Sequence, residues 1–368
     1  MSTKEDQDRK DTQLAHEFRL SLSSTPSQSS FRVLALLFYK EGENSRGQTS
    51  SQLPPWVAQK TKDGRSFIVG TNDEPGFMGG AICAERSAMV QLRFLPSFEI
   101  TKVVICTDSL DPISPGILCR EFLAGHDSVP WETQILCTGC VCINCERRDS
   151  DLFLVESGKT KTSSFLCDCE NGGKHVIPTL DTTLKDLYTY PSPYSRLRAS
   201  ESVTLGETYA KEKQQENSTV RNEFDSLNDA TKKLFELAIE EARSNASENH
   251  PIYFGAAVEF DNGEIVTSHQ ASALEYGCTL DSVSQLASHI KKGGVPKVIV
   301  QADQFGIAHG PFAPARAFLS ENGYGDCQIL LHDVPIHTVK DIGSWSLRFV
   351  KAKDLAPNAP DIFKQTYS

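Results

Sequence analysis

The chain has 368 residues, the usual length of two domains, and 39% of them are hydrophobic, which is enough for two cores. Its net charge of -11 argues against a nucleic-acid-binding protein, because such proteins carry basic surfaces that neutralise phosphates. No stretch of about 18 apolar residues predicts a membrane span. The polar N-terminus resembles no secretory signal, so the 11 cysteines are expected as thiols or metal ligands in the cytosol or nucleus.

The first half of the chain alternates between strand and helix patterns. Residues 1–30 are polar and charged, which predicts a disordered tail. The following elements are predicted as strands at 31–38, 61–70, 102–107 and from 133, and as helices at 81–95 and 115–124. This order, β-β-α-β-α-β, indicates an α/β sandwich.

The second half repeats part of this pattern. Residues 191–224 are rich in Ser, Glu and Lys and poor in large apolar residues, which predicts an interdomain linker. A helix, a strand, a Gly-containing turn and a second strand are then predicted between 227 and 268. We interpret 225–345 as a second domain related to the first, and 346–368 as a C-terminal tail.

Two short motifs carry the chemistry. The first is ICAERSA at 82–88, with Cys83 two residues before Glu85, and the second is SPGILCRE at 114–121, with Cys119 near the start of a helix. This layout is typical of zinc-dependent nucleobase deaminases, whose second motif ends in P-C-x-x-C. Here Gly116 stands at the first of those two Cys positions.

The spacing suits the chemistry of such a site. A metal ion lowers the pKa of bound water toward about 7, and a carboxylate must then reach both the water and the base. Two-residue spacing at a helix start aims Cys83 and Glu85 at one point, and the helix N-terminus favours the thiolate.

With these motifs the chain resembles the two-domain form of the cytidine deaminase family. The resemblance implies two three-layer α/β sandwich domains, a catalytic one at 31–190 and a degenerate copy at 225–345. In the implied register of the copy, Asp281 and Val283 replace the first ligand and the catalytic Glu. Phe312 and Ala315 replace the other two ligands.

The resemblance also implies the site residues. Cys83 and Cys119 match zinc ligands, and Glu85 matches the proton-shuttling Glu, which is not a ligand. Asn72 and Glu74 match the pair that holds the ribose hydroxyl, and Phe31 matches the aromatic residue of the first strand that packs on the base. The implied reaction is hydrolytic, zinc-dependent deamination of cytidine or deoxycytidine to the uridine, as in pyrimidine salvage.

Gly116 leaves three alternatives open. Another donor replaces the missing ligand, such as Cys106, a cysteine beyond 136 or a second water; or the metal binds weakly; or the domain only binds nucleosides. A catalytic zinc normally has three protein ligands. The alternative function is therefore that of a pseudo-deaminase that binds nucleosides without turnover.

A second cysteine group follows. Cys137, Cys140, Cys142 and Cys145 form C-x-x-C-x-C-x-x-C within an insertion at 137–175 that the resemblance does not cover. The spacing indicates a structural metal site, while rescue of the catalytic site and the absence of any metal stay open. The expected partners are a small-molecule nucleoside and a second copy of the chain in a homodimer, with neither nucleic acid nor membrane.

Overall fold

The computed structural model describes residues 3–42, 59–95, 97–109, 111–139, 162–168, 174–216, 218–244 and 250–359. The chain divides into two compact units. Unit 1 comprises Met1–Leu187 and Asn358–Ser368, and unit 2 comprises Tyr188–Pro357. No helix in the described part of the chain has the length and apolarity needed to cross a membrane.

Unit 1 is built around one mixed sheet. Its described helices are α1 (Lys4–Leu20), α2 (Ala84–Gln91), α3 (Ile117–Ala124) and α4 (Leu184–Leu187). Its described strands are β1 (Val33–Glu41), β2 (Gln59–Lys60), β3 (Ser66–Thr71), β4 (Phe98–Thr107), β5 (Gln134–Thr138), β6 (Thr162–Asp168) and β7 (Lys174–Thr183). The strand order is β2-β3-β1-β4-β5-β7-β6, with β4 and β5 parallel and the other pairs antiparallel.

The central strand β1 is buried on both faces, which makes unit 1 a three-layer sandwich. Leu34, Leu36 and Phe38 form a core with Ala15 of α1. Side chains alternate along a strand, so the fully buried Ala35 faces the other side of the sheet. There α2 packs against β1 and β3.

Unit 2 repeats this architecture. Its described helices are α5 (Ala199–Gln214), α6 (Thr219–Ser226), α7 (Asp229–Ser244), α8 (Ser282–Gln285), α9 (Ala287–Gly293) and α10 (Ala313–Glu321). Its described strands are β8 (Phe254–Phe260), β9 (Ile265–His269), β10 (Pro296–Asp303), β11 (Ala308–His309), β12 (Gln328–Asp333) and β13 (Ser346–Lys351). The order β13-β12-β10-β8-β9 matches β7-β5-β4-β1-β3 of unit 1, with the same parallel pair at the same place.

The core of unit 2 lies on both faces of its sheet. Ala257 of β8 packs with Phe235 and Ala238 of α7 on one face. Val258, the next residue of the strand, packs with Val283 and Leu319 on the other. The predicted class, two α/β sandwich domains, is confirmed, because each sheet is covered by helices on both faces.

The prediction of a disordered tail at 1–30 is wrong, since α1 spans most of it. Its buried face carries charged side chains beside apolar ones, and residues in or next to the strands of unit 1 neutralise the charges. Asp11 is 1% exposed and accepts from Lys102 at 2.7 Å and from Arg65. Buried Arg19 pairs with Asp108. The composition indicated disorder because it cannot show that a buried charge pairs with an opposite charge far along the chain.

The prediction of a linker at 191–224 is also wrong. Its Ala, Glu and Lys residues favour helices, and α5 and α6 form there. Leu205 and Tyr209 suffice to anchor α5 in a core that contains Trp345. The predicted C-terminal tail begins instead with β13, which pairs with β12.

Most of the cysteine group lies outside the described residues. Cys137 is fully buried in β5. Cys140, Cys142 and Cys145 lie in a segment outside the described ranges. The second metal site therefore stays a prediction.

Candidate active site

The candidate site lies where two helices of unit 1 begin. Cys83 is the residue before α2, with φ −81° and ψ 157°, and Glu85 is in the first turn of that helix. Gly116 is the residue before α3, and Cys119 is in its first turn. The helix N-termini thus bring Cys83 and Glu85 to the same place as Cys119, which lies 36 and 34 residues further along the chain. The unpaired N–H groups of these helix ends favour negative charge there.

Three donor atoms converge there. The sulfurs of Cys83 and Cys119 and a carboxylate oxygen of Glu85 all lie within 4.8 Å of one another. Cys119 is fully buried, Glu85 is 3% exposed and Cys83 is half-buried. Within the described ranges, this is the one group of three or more His, Cys, Asp or Glu residues that could hold a metal ion.

The protonation states in the cluster are coupled. A hydrogen bond from Cys119 lowers the pKa of Cys83 to about 6, with help from Arg86 and against the effect of burial. The same hydrogen bond and burial raise the pKa of Cys119. Burial, and next the Cys83 charge, raise the pKa of Glu85 to about 7. The charge of the pair is thus favoured on Cys83 rather than on Cys119, and burial favours the protonated form of Glu85.

Arg86 is a site residue that the sequence analysis missed. Its guanidinium donates to Ala81 O at 3.1 Å and lies 3.7 Å from the Cys83 sulfur. Its Nε is buried without a hydrogen-bond partner in the described part of the chain. The residue directly follows Glu85 in the motif, so its position, but not its contact with Cys83, was visible in the sequence.

Arg120 holds the second motif in place. Its buried guanidinium donates to Pro115 O at 2.8 Å and to Leu187 O at 2.9 Å, which fixes the start of α3. Arg316 makes the corresponding bond to Pro311 O at 2.6 Å in unit 2. These paired contacts position Cys119 and its counterpart Ala315.

The residues present fit a zinc ion by the chemistry of their donors, since thiolates and a carboxylate are all zinc ligands. Gly116 contributes no donor, and a Cβ built on it would meet nothing within 4 Å. Among the described residues, no side chain therefore fills the space where a Cβ at position 116 would lie. Glu85 is close enough to serve as the third ligand or as a base, and these roles exclude each other at any one moment.

Cys106 does not replace the missing ligand. It lies in the core under α1, with its sulfur 3.2 Å from Nδ1 of His16. That core covers the face of the sheet opposite to α2. Cys137 pairs in register with Ile105, the neighbour of Cys106, so it points to the face of α2, yet it is outside the three-residue cluster.

The predicted sugar-binding pair lies at the end of β3 and is engaged by the chain itself. Asn72 accepts from Val33 N at 2.8 Å and donates to Phe31 O at 2.9 Å. Glu74 accepts from both N and Oγ of Ser29, each at 2.8 Å. Ser29 was missed, because nothing local in the sequence signals a contact across 45 residues.

Unit 2 has other residues at the equivalent positions. Asp281 precedes α8 and accepts from Val283 N and Ser284 N, so it caps the helix. Val283 is fully buried. Phe312 precedes α10 and packs against Phe254, with ring centroids 4.9 Å apart. Hydrophobic packing and a helix cap thus replace the cluster of unit 1.

Comparisons with known proteins give structural similarity only. The chain is similar to the crystal structure of cytidine deaminase from Mycobacterium tuberculosis, with 24% identity over 36% of this chain and 98% of that one and a TM-score of 0.29. It is similar to the enzyme from Mycobacterium leprae, with 20% identity over 27% and 85% and a TM-score of 0.26. For the enzyme from Burkholderia pseudomallei the identity is 19% over 35% and 81%, with a TM-score of 0.25.

No protein-family model matches the chain, and no curated protein matches it significantly. The TM-scores are too low to carry a functional conclusion. The proposal below therefore depends on the residues of the site.

Proposed function

We propose that unit 1 is a metal-dependent hydrolase that deaminates cytidine or deoxycytidine. The observation that carries the proposal is the buried Cys83–Glu85–Cys119 cluster, in which a carboxyl group with a pKa of about 7 adjoins two sulfurs. A carboxyl group that both gains and loses a proton near neutral pH suits a reaction in which one proton moves from water to a leaving amine.

The two sulfurs would hold the zinc ion, Cys83 as the thiolate and Cys119 after loss of its proton on metal binding. When bound, the ion would lower the pKa of a water molecule and so make a nucleophile available at neutral pH. Arg86, 3.7 Å from the Cys83 sulfur, would offset the negative charge of the cluster. Glu85, which is almost fully buried, would work in a site from which bulk water is largely excluded.

Glu85 would move the protons of the reaction. It would take a proton from the attacking water, deliver it to N3 of the pyrimidine as C4 is attacked, and pass the next proton to the departing ammonia. Asn72 and Glu74 would orient the sugar, and Phe31 would pack against the base. These roles follow from the family resemblance. Hydrogen bonds from the Asn72 side chain to Phe31 O and to Glu74 hold these three residues next to one another, which supports the roles.

The experiment combines metal analysis with an ultraviolet assay of cytidine loss, on protein purified without added zinc. We expect about one zinc per chain and measurable turnover. Glu85→Gln should reduce turnover on the order of 10²–10⁴-fold and keep the metal, as removal of a general base does. Cys119→Ser should lose both, and exposed Glu99→Gln is the matched control that should keep both.

The outcomes separate the alternatives. A metal-free and inactive wild type that still binds cytidine would establish the pseudo-deaminase, which the absence of a donor at Gly116 favours. Loss of metal in Glu85→Gln would make Glu85 a ligand rather than the base. The homodimer stays a prediction, and a monomeric mass by light scattering would contradict it.

A further inference from the structure

Unit 2 contains a cavity of about 620 Å³ whose lining includes none of the residues Asp281, Val283, Phe312 and Ala315. It lies between the C-terminal end of α5, helices α6 and α7, and the turn at 304–306; we call it the α5–α7 cavity. Its volume falls within the range of small-molecule sites, about 300–1,000 Å³. Helix α5 and most of helix α6 lie in residues 191–224, the segment that was expected to be a linker.

Lys213 is the distinctive group of the α5–α7 cavity. Its ammonium lies 4.0 Å from the centroid of the Phe224 ring and 5.0 Å from that of Phe235, so it is held against aromatic faces rather than extended into water. In the described ranges, no carboxylate pairs with this ammonium. A cation in this position lacks the counter-ion that partly buried charges normally have.

The other charged groups around Lys213 do not replace the missing counter-ion. Burial, and next the charge of Arg243, which also lines the cavity, lower the pKa of Lys213 to about 8. Glu236, Asp303 and Asp225 oppose them more weakly. Asp225 is already paired with Arg221, at 3.2 Å.

Arg243 uses only part of its hydrogen-bonding capacity. Its Nε donates to Gln304 O at 3.1 Å, and no ion pair of its terminal nitrogens occurs within the described part of the chain. Lys213 of α5 and Arg243 of α7 are therefore two cations that line the same cavity and form no ion pair with a carboxylate among the described residues. A dianion placed between them would remove their mutual repulsion and supply the missing counter-ion.

The backbone leaves room for such a group. Gly306 lies in the left-handed region with φ +91°, and a Cβ built on it would come 3.4 Å from the Lys213 nitrogen. The bare glycine thus keeps the space beside the ammonium free. Glu236 and Glu240 line the same cavity, so the remainder of the ligand should offer hydroxyl or amino donors to them.

We propose that the α5–α7 cavity binds a small organic phosphate, whose phosphate group contacts Lys213 and Arg243. The site lies wholly within unit 2 and uses none of the residues of the proposed deaminase site. The degenerate unit would then have a binding function of its own.

The test uses pyridoxal 5′-phosphate on the full-length protein, because this probe carries a phosphate and an aldehyde. Its aldehyde condenses with an unprotonated amine to an imine and releases water, and borohydride then reduces the imine to a stable amine. Peptide mass mapping gives the labelling rate of each lysine. We expect Lys213 to react more than about tenfold faster than exposed Lys211 on the same helix, because more of its amine is unprotonated.

The phosphate is tested by three further arms. Pyridoxal, which lacks the phosphate, should label Lys213 severalfold more slowly, and inorganic phosphate should protect it. Arg243→Gln should weaken that protection, and Arg348→Gln, whose guanidinium pairs with Asp333 and does not line the cavity, should leave it largely unchanged. Circular dichroism checks that each variant is folded.

Equal labelling of Lys213 and Lys211 would overturn the proposal, because the cavity would then not expose a distinctive amine. Equal rates with pyridoxal and pyridoxal 5′-phosphate, or no protection by inorganic phosphate, would also overturn it. None of these outcomes depends on zinc or on cytidine turnover, so the result is separate from that of the proposed deaminase.

Discussion

Ser29 donates two hydrogen bonds to the carboxylate of Glu74, one from its backbone N–H and one from its hydroxyl, each 2.8 Å long. The same hydroxyl accepts from Phe31 N at 3.1 Å. The carboxylate that would hold a sugar hydroxyl is thus held by the chain's own hydroxyl. A nucleoside hydroxyl would therefore compete with Ser29 for the oxygens of Glu74.

Ser29→Ala should therefore strengthen nucleoside binding. The change removes one competing hydrogen bond, worth about 1 kcal/mol, so the Kd for cytidine should fall by about fivefold. Titration calorimetry on metal-loaded and metal-free protein measures it. Ser21→Ala, which removes an exposed hydroxyl that bonds only its own helix end, is the control. An unchanged Kd would mean that Glu74 does not contact the sugar.

Gly116→Cys should increase zinc affinity. Gly116 has φ −59° and ψ 154°, a conformation open to any L-residue, and its Cβ would stand in free space. A third thiolate should raise the affinity by at least about tenfold, since even loss of groups around a metal's ligands costs 10–100-fold. Competition with a chromogenic chelator measures the change. Gly116→Ala adds the Cβ without the sulfur and should bind zinc as the wild type does; equal gains in both variants would exclude ligation.

Gly70→Ala should displace helix α2 and so disrupt the candidate active site. A Cβ on Gly70 of β3 would come 2.1 Å from Ala84 O and 2.5 Å from Ala88 N, so α2 would have to move away from the sheet. Glu85 is in the first turn of α2, two residues after Cys83, which directly precedes the helix, and both should shift with it. We expect a loss of about 1–3 kcal/mol in the free energy of unfolding, as for an overpacked core, together with weaker zinc binding.

Denaturant unfolding and metal titration check this expectation. Gly76→Ala is the matched control, because a Cβ there meets nothing within 4 Å. If Gly70→Ala bound zinc like the control, the contact between β3 and α2 would not be needed to position the cluster.

His332 should make the protein sensitive to acid. It accepts from Ala308 N at 2.8 Å, contacts the Tyr209 hydroxyl at 2.8 Å, and burial lowers its pKa from 6.5 to about 3. Between these values the unfolded chain binds the proton and the folded chain does not. Stability should thus fall as the pH drops from about 6.5 to 3, by up to about 1.4 kcal/mol per pH unit.

Denaturant unfolding at a series of pH values measures this slope. His332→Gln keeps a donor and an acceptor but cannot titrate in this range, so its slope should be shallower. Tyr209→Phe removes the hydroxyl contact and keeps the imidazole, so it should lose stability at every pH and retain the slope. A wild-type slope in His332→Gln would assign the acid sensitivity to other groups.

Much of the candidate site was predictable because its parts are local in the chain. Cys83 and Glu85 are two residues apart at the start of one helix, so their convergence follows from helix geometry alone. Cys119 is in the first turn of another helix, and its place in the cluster depends on how that helix packs. The motif spacing predicted Cys83 and Cys119 at one site, and their sulfurs and a carboxylate oxygen of Glu85 lie within 4.8 Å of one another.

Other features were not predictable, for reasons of distance and charge. The composition of residues 1–30 led to the wrong prediction of a disordered tail. It cannot show that the buried Asp11 of α1 pairs with Lys102, 91 residues away. The α5–α7 cavity needed three helices and the turn at Gly306 to come together.

The sequence by itself determined the alternation of strands and helices, the doubled architecture and the donor types of the site, because periodicity and short motifs act over a few residues. Only the tertiary structure decided what surrounds those donors. It places no described side chain within 4 Å of a Cβ built on Gly116, and it places Cys106 on the face of the sheet opposite to α2. It also brings the Ser29 hydroxyl within hydrogen-bond distance of Glu74. These are contacts between residues far apart in the chain, formed when the sheet and its helices close on one another.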